Sequence, residues 1–203
     1  LDDLPAGAWG HAAAFSLHPL KPLNVWGDGG AVVTNDDEAG QWIRRYANHG
    51  MISRDEIAFW GVNQRLQTVQ AVIANHLLDR LDQWVARRIE IAGRLDEGLF
   101  HIPEITLPPR PLNRRHSFQL YMVRAQWRGD LLRHLAVGGV EAKVHYPIPL
   151  HLQPAARDLG YQKGDFPMAE AQAAEIITLP GHQFLTDDEV GYMIEQVRRF
   201  YRA

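Results

Sequence analysis

The sequence contains no cysteine, and this absence excludes disulfide bonds, thiolate metal ligands and a cysteine nucleophile. A chain without thiols is compatible with a reducing compartment, and we expect a cytoplasmic protein. Positive charge is not in excess either, since 21 lysines and arginines stand against 24 acidic residues, for a formal net charge of -3 at pH 7. This balance provides no electrostatic attraction to nucleic acid or to an anionic membrane, and we predict neither as a partner.

Long apolar runs are also missing, so no segment reaches the length of a membrane span. The chain opens on Leu1-Asp2-Asp3-Leu4-Pro5, without an initiator methionine or a charged-then-apolar signal. A strand that looks buried follows almost at once, and we therefore expect the chain to be the later part of a longer protein. With 203 residues, 46% of them hydrophobic, it is long enough to bury a core.

Common site motifs are missing as well. No G-x-S-x-G elbow supports a Ser-His-Asp hydrolase, although the composition would permit one. The glycine-rich run 27–30 fits neither the G-x-x-x-x-G-K-[ST] nor the G-x-G-x-x-G pattern, which favours a plain turn. His145 and His151 flank a proline-rich loop without an evident third ligand, so we predict no metal site there. Contact with a polar ligand or ordinary loop packing is favoured for these two imidazoles.

What the sequence does contain is a lysine loop after an apolar run. The run Ala12–Phe15 leads into Ser16, His18 and Lys21. A lysine at the end of a strand, beside small residues, can present its amine to a carbonyl, and a poorly hydrated pocket favours the neutral amine that a Schiff base requires. The Ser16 hydroxyl and nearby backbone amides could hold a phosphate on the ligand whose carbonyl the lysine reaches. A ligand with both groups suits pyridoxal phosphate. The alternatives are an exposed loop lysine without a role and a serine that bonds only to its own backbone.

Periodicity and turn residues predict alternating strands and helices. We expect Asp28-Gly29-Gly30 to reverse the chain with positive-φ glycines, and one uninterrupted helix over about 65–99 that spans roughly 50 Å. A proline-rich shift at 101–115 indicates a domain boundary. The predicted strands are 11–17, 30–34, 118–123, 140–144 and 176–179. Of the other predicted helices, the first begins near Asn35-Asp36 and ends at His49-Gly50. Two more cover 128–136 and 168–174. The last starts at Thr186, where Glu189 completes a capping box.

Six segments, each weak alone, are specific in their order and spacing. They are Phe15-Ser16-x-His18-Pro19-x-Lys21 with Gly27-x-Gly29-Gly30 and Thr34; His49-Gly50; Gly61-x-Asn63-x-Arg65 with Gln70-Ala71; His145-Tyr146-x-x-Pro149-Leu150-His151-Leu152-Gln153; Leu179-Pro180-x-His182; and Leu185-Thr186-x-x-Glu189-Val190. Together they resemble the later half of the DegT/StrS-type sugar aminotransferases, which are pyridoxal-phosphate enzymes of fold type I. The resemblance runs over nearly the whole chain.

The resemblance implies an α/β fold that forms the C-terminal portion of a fold type I transferase. Residues 1–64 would be the remainder of the large cofactor-binding domain, 65–100 a long linking helix, and 101–203 a small C-terminal α/β domain. It also implies that the aspartate for the pyridine nitrogen and the aromatic residue for the ring lie in an earlier half, upstream of Leu1.

Cofactor and catalytic roles also follow from the resemblance. Lys21 would bind pyridoxal 5'-phosphate covalently and act as the catalytic base. Ser16 would bind the cofactor phosphate, and Asn63 would reach the phosphate in the neighbouring subunit. The active unit would therefore be a homodimer with a shared active site.

The acceptor site follows from the same resemblance, with departures. His145, Tyr146 and His151 would bind the sugar or its nucleotide. The family often has an aromatic residue where Gln64 stands and Tyr-His where Phe118-Gln119 stands. Both differences could alter the acceptor pocket, so the sequence leaves open whether this chain shares the family's usual preference for hexoses. A dehydratase branch has histidine in place of the lysine, and Lys21 argues against that branch.

The function implied is amino transfer from glutamate or glutamine to a keto sugar, often nucleotide-linked, or to a related cyclic ketone such as a cyclitol. The alternative is a non-catalytic homologue of the same fold that acts as a binding or interface subunit.

Overall fold

The computed structural model of the protein describes Asp2 and residues 4–202. The chain divides into two compact units. Unit 1 consists of Leu1–Trp84 and Leu112–Arg115, and unit 2 of Val85–Pro111 and His116–Ala203. The boundary falls inside a helix, and the three-part division expected from the sequence stays a prediction.

Unit 1 contains an antiparallel ribbon of β1 (Ala12–Ser16) and β2 (Gly30–Thr34), which confirms the position of both predicted strands. The burial expected of them is wrong, because most residues of both strands are exposed in this chain. The register pairs Ala12 with Thr34 and Ser16 with Gly30. The predicted reversal through positive-φ glycines is wrong, because neither Gly29 nor Gly30 has a positive φ. Position 29 favours glycine for another reason, because a Cβ there would lie 2.7 Å from Val25 Cγ2.

Helix α1 (Asp37–Tyr46) begins where its cap predicts. The Asp36 carboxylate accepts the backbone N–H groups of Glu38 and Ala39 at 2.9 and 3.0 Å, which satisfies two free donors of the first turn. The helix ends slightly earlier than expected, and His49 and Gly50 follow with φ of 60° and 69°.

The predicted single helix over 65–99 is wrong, because the segment forms α2 (Thr68–Leu78) and α3 (Leu81–Leu99). A turn at Asp79 and Arg80 separates them, with the Arg80 N–H bonded to the Leu77 carbonyl at 3.1 Å. The apolar spacing continues through this turn, so periodicity alone does not reveal it. Asp79 is a poor helix former, and Asp82 suits the positive end of a new helix.

Unit 2 is built on a three-stranded antiparallel sheet in the order β3-β4-β5. The strands are β3 (Ile105–Thr106), β4 (Tyr121–Ala125) and β5 (Ile176–Leu179). Strand β5 was predicted with these bounds, β4 starts three residues later than expected, and β3 was missed because it is two residues long. The predicted strand 140–144 is wrong, since Lys143 alone bridges to Thr178 before the proline-rich loop begins.

Unit 2 also contains most of α3 and three further α-helices, which are α4 (Arg128–Val137), α5 (Pro167–Glu175) and α6 (Asp187–Arg202). The predicted capping box of α6 is confirmed, since the Glu189 carboxylate accepts the Thr186 N–H at 2.8 Å and the Thr186 hydroxyl accepts the Glu189 N–H at 3.2 Å. The most deeply buried side chains of this unit are Ile91, Leu95, Leu99, Tyr121, Leu131, Leu135, Ile177, Leu179, Val190 and Val197. They form one core between the sheet and the helices, and the α/β prediction is confirmed.

Unit 1 has no comparable core among its described residues. Its buried hydrophobic side chains are Leu17 and Val25, and neither α1 nor α2 buries a residue. Across Asp2 and residues 4–202, no helix is both long and apolar enough to cross a membrane.

Candidate active site

The lysine loop of unit 1 is a turn anchored by buried apolar residues. The Leu17 N–H extends the β ribbon by bonding to the Gly29 carbonyl at 2.8 Å, and the Val25 N–H returns to the Leu17 carbonyl at 3.2 Å. Between these points the Lys21 N–H bonds to the His18 carbonyl at 2.8 Å. Since Val25 is fully buried and Leu17 nearly so, the loop has a fixed base from which Lys21 projects.

Ser16 and Lys21 supply the two chemical groups of this loop. The Ser16 hydroxyl accepts the His18 N–H at 3.4 Å, a long bond that leaves the hydroxyl proton free for another acceptor. The Lys21 side chain is half-buried, and within the described part of the chain no carboxylate lies within ion-pair distance of its amine. A hydroxyl donor and an uncommitted amine therefore stand five residues apart on one anchored turn.

The far end of the lysine loop is held by the first turn of α2. The Gln70 side-chain amide donates from Nε2 to the Asp28 carbonyl at 3.0 Å, and its Oε1 accepts the Gln67 N–H at 3.2 Å. A Cβ at Gly27 would lie 3.2 Å from Gln70 Nε2, so a glycine there allows this approach. Sequence reasoning noted Gln70 in a motif but gave it no role.

Asn63 belongs to a cluster of two amides and a guanidinium. Arg65 donates from Nε to Asn63 Oδ1 at 3.0 Å and from Nη1 to Asn48 Oδ1 at 3.2 Å. Asn48 and Asn63 also pair through an antiparallel backbone bridge. The side-chain oxygen of Asn63 thus accepts a hydrogen bond from Arg65. The side-chain NH₂ group of Asn63 has no partner among residues 4–202 and remains available as a donor.

Two glycines allow the chain to cross itself beside this cluster. A Cβ on Gly50 would lie 1.7 Å from the Phe59 carbonyl oxygen, and one on Gly61 would lie 2.5 Å from both the Gly50 nitrogen and the Tyr46 oxygen. This explains physically why the motif around Asn63 begins with glycine.

The substrate loop of unit 2, defined as residues 145–153, carries the other three predicted site residues. His145 Nδ1 shares a hydrogen bond of 2.9 Å with the Thr178 hydroxyl on β5. Tyr146 is 72% exposed, with its ring 5.5 Å from that of His145. The structure therefore brings His145 and Tyr146 together at one end of the loop.

His151 is placed differently, inside the fold of unit 2. Its Nε2 lies 3.0 Å from Glu170 Oε1, and the side chains of the pair are 8% and 16% exposed. The same oxygen accepts the Gly164 N–H at 2.7 Å, which lowers the pKa of the Glu170 carboxyl below its ordinary value, with the His151 imidazole adding to the effect. The Phe166 ring packs 4.8 Å from the His151 ring. Sequence reasoning missed Glu170 and Thr178, because their partners lie far along the chain.

Beside the substrate loop lies an apolar cavity of about 590 Å³. Its lining residues are Tyr146, Pro147, Ile148, Pro149, Leu150, His151, Gln153, Phe166, Ala169, Gln172, Ala173 and Ile176. Across Asp2 and residues 4–202 there is no group of three or more metal-ligating side chains.

The chain matches the model of the DegT/DnrJ/EryC1/StrS aminotransferase family over residues 1–198. It is 38% identical over 192 residues to the erythromycin biosynthesis sensory transduction protein EryC1 of Saccharopolyspora erythraea, over 95% of this chain and 52% of that protein. It is 35% identical over 194 residues to the dTDP-3-amino-3,4,6-trideoxy-alpha-D-glucose transaminase of Streptomyces venezuelae, over 96% of this chain and 51% of that protein.

A solved structure gives the same result. The crystal structure of S. venezuelae DesV in complex with a ketimine intermediate matches with a TM-score of 0.93 and 35% identity, over 97% of this chain and 53% of that one. The chain spans about half the length of the curated relatives it matches. It belongs to the DegT/DnrJ/EryC1/StrS aminotransferase family, which is pyridoxal-phosphate-dependent. The resemblance noted from the sequence motifs is thereby confirmed, as is the match to a C-terminal portion of the fold.

The residues of the lysine loop fit this cofactor. Pyridoxal phosphate needs donors for its phosphate and an amine for its carbonyl carbon, and Ser16 and Lys21 are of those two kinds. Because the described residues place no carboxylate beside Lys21, its amine has no competing partner.

Proposed function

We propose that the complete protein is a pyridoxal-phosphate-dependent aminotransferase that moves an amino group from glutamate or glutamine to a nucleotide-linked keto sugar. The observation that carries the proposal is Lys21, which stands on an anchored turn five residues after Ser16 and has no ion-pair partner among the described residues. Family membership supports the reaction class, and the dTDP-sugar transaminase among the relatives supports the acceptor class.

In this proposal, the cofactor when bound supplies an electron sink for negative charge at the substrate carbon. Lys21 Nζ would hold the carbonyl carbon of the cofactor and would later carry the proton that leaves the substrate carbon. The Ser16 hydroxyl would donate to the phosphate. Both tasks suit the groups found on the turn.

Asn63 would serve the neighbouring subunit, so we propose a homodimer with a shared site. Arg65 occupies Asn63 Oδ1, which turns the amide so that its NH₂ group is the free end, and an NH₂ group is the correct donor for a phosphate oxygen. Support for the dimer is otherwise the family resemblance, and we place the dimer in the cytoplasm.

The substrate loop would bind the acceptor through His145 and Tyr146, whose rings lie at its exposed end. His151 belongs to the same loop, and its buried position beside Glu170 favours an indirect contribution.

The test is an amino-transfer assay on the complete natural protein. We expect glutamate or glutamine with a dTDP- or UDP-linked keto sugar to yield an amino sugar, detected by mass spectrometry. Lys21→Ala should abolish turnover, because the covalent and proton-transfer roles are lost together, while the matched variant Lys163→Ala in unit 2 should keep it. A complete protein that binds no pyridoxal phosphate would instead support the non-catalytic homologue.

A further inference from the structure

The substrate loop returns to the sheet immediately before His145. The Lys143 N–H bonds to the Thr178 carbonyl at 3.0 Å, and the Thr178 N–H bonds to the Lys143 carbonyl at 2.7 Å. On its other edge, β5 pairs Thr178 with Met122 of β4. Thr178 is therefore the residue of β5 to which the start of the loop is fastened.

The Thr178 side chain makes a second connection to the same loop. Thr178 is 7% exposed, and its hydroxyl lies 2.9 Å from His145 Nδ1. A buried hydroxyl that loses its partner has a substantial desolvation cost, so this bond constrains the rotation of the imidazole. Two backbone bonds of Lys143 and one side-chain bond of His145 thus hold this end of the loop against β5.

The bond to Thr178 leaves one ring nitrogen of His145 uncommitted. Within residues 4–202, Nε2 of His145 has no hydrogen-bond partner, and it retains contact with solvent. His151 is the opposite case, because its Nε2 is bonded to Glu170 and its side chain is 8% exposed. The two histidines of the loop therefore differ in what they can offer a ligand.

We propose that Thr178 is a positioning residue of the substrate loop, which holds the His145 ring through Nδ1 so that Nε2 binds the acceptor substrate. The proposal rests on the proposed aminotransferase function. It assigns to His151 and Glu170 the separate task of fixing the other end of the loop. Thr178 itself does not touch the substrate.

The test is a set of three variants of the complete natural protein. Thr178→Val keeps the shape and removes the hydroxyl, and Thr178→Ser restores it. With the hydroxyl lost, we expect the KM for the keto-sugar acceptor to rise about three- to tenfold, as for one hydrogen bond, with the rate of the glutamate half-reaction unchanged. Thr178→Ser should recover most of the loss. Thr106→Val, the same substitution at the exposed residue of β3, is the matched control and should behave as wild type.

A double-mutant cycle with His145→Ala separates positioning from general stability. If Thr178 acts through His145, Thr178→Val should not raise the acceptor KM further when His145 is already alanine. A rise of equal size in both backgrounds would overturn the proposal, as would an unchanged KM in folded Thr178→Val. Should Thr178→Val fail to fold, the ¹⁵N shifts of the neutral His145 ring in wild type decide, because they report which ring nitrogen carries the proton. The shifts of a single tautomer support the proposal, and shifts averaged between the two tautomers would overturn it.

The outcome is separable from that of the proposed function. If wild-type protein neither binds pyridoxal phosphate nor aminates any keto sugar, the proposed function fails, and the ¹⁵N measurement still tests whether Thr178 holds the ring. If wild type is active and Thr178→Val matches it, the positioning role fails alone.

Discussion

At the scale of single residues, Asp187 joins the start of α6 to α3. Its carboxylate lies 2.6 Å from Arg87 Nη2 and also pairs with Arg94. The hydrogen bond from Arg87 lowers the pKa of the Asp187 carboxyl below its ordinary value, and Arg94 adds to the effect. The folded state therefore favours the ionised carboxylate.

Asp187→Asn should make the protein less sensitive to acid. Because the pKa is lower in the folded state, the stabilisation is complete above the unfolded value of about 3.9 and is lost as the pH falls through the folded value. Wild type should consequently lose more stability between about pH 6 and about pH 3 than Asp187→Asn does. Urea unfolding midpoints at both pH values measure this. Asp158→Asn, an exposed aspartate without a pair in the described chain, should follow wild type.

Glu170 receives two bonds at one oxygen, from Gly164 and from His151. Glu170→Gln keeps the shape but removes the charge that strengthens both bonds. We expect faster amide hydrogen exchange over residues 145–153, with exchange in α4 unchanged. Equal exchange in variant and wild type across the loop would show that Glu170 does not hold it.

Part of the site could be predicted from the sequence because its residues are close along the chain. Ser16 and Lys21 are five residues apart and share one turn, so their chemistry is visible in a short motif. Thr178 is 33 residues from His145 and Gln70 is 42 from Asp28. Nothing local in the sequence signals these pairings, since only the folding of the chain brings the partners together.

At the scale of elements, glycine positions decide how the chain packs. Gly50 has a positive φ, and a Cβ added there would lie 1.7 Å from the Phe59 carbonyl oxygen. A Cβ added to Gly93, within α3, would meet no atom within 4 Å. Phe59 stacks on Trp42 with ring centroids 5.4 Å apart. The same residue type is thus required in one element and dispensable in another.

Gly50→Ala should destabilise the protein by at least about 1 kcal/mol, because the left-handed backbone and the contact with Phe59 both oppose a side chain. It should also change tryptophan fluorescence through the Trp42 stack. Gly93→Ala should instead stabilise by about 0.5–1 kcal/mol, since alanine is the better helix former. Thermal melts of both variants measure the difference. A harmless Gly50→Ala would contradict the crossing of the chain at this point.

Elements with strong periodicity or caps could be predicted, and those that depend on distant partners could not. The Asp36 cap and the Thr186 capping box locate α1 and α6, and short apolar runs bounded by turn residues locate β1 and β2. The break between α2 and α3 at Asp79 was not predicted, because the apolar spacing continues through it. In place of the strand expected over 140–144, the structure has one bridge at Lys143. Strand propensity does not reveal the partner of this bridge, Thr178, because it lies far along the chain.

At the scale of the whole molecule, burial is concentrated in unit 2. Unit 1 exposes large apolar side chains on its ribbon and on α1, among them Phe15, Val32, Val33 and Trp42, each about half exposed. Such faces favour association with other apolar surfaces. Unit 2 has one continuous core on its sheet.

We expect residues 81–203 alone to unfold cooperatively, because they contain that core, and residues 1–84 alone to lack a cooperative transition. The 203-residue chain expressed by itself should self-associate through the exposed faces of unit 1. Circular dichroism melts and light scattering measure these outcomes. A monodisperse 203-residue monomer with a cooperative transition in residues 1–84 would contradict this description of burial.

The central claim is that Lys21 binds the cofactor, and the most direct measurement is reductive trapping. The complete natural protein is incubated with pyridoxal phosphate, reduced with borohydride, digested and mapped by mass spectrometry. We predict a visible absorption band before reduction and the phosphopyridoxyl mass on the peptide that contains Lys21, with neither in Lys21→Ala. The absence of a band, or trapping on another lysine such as Lys143 or Lys163, would contradict the claim.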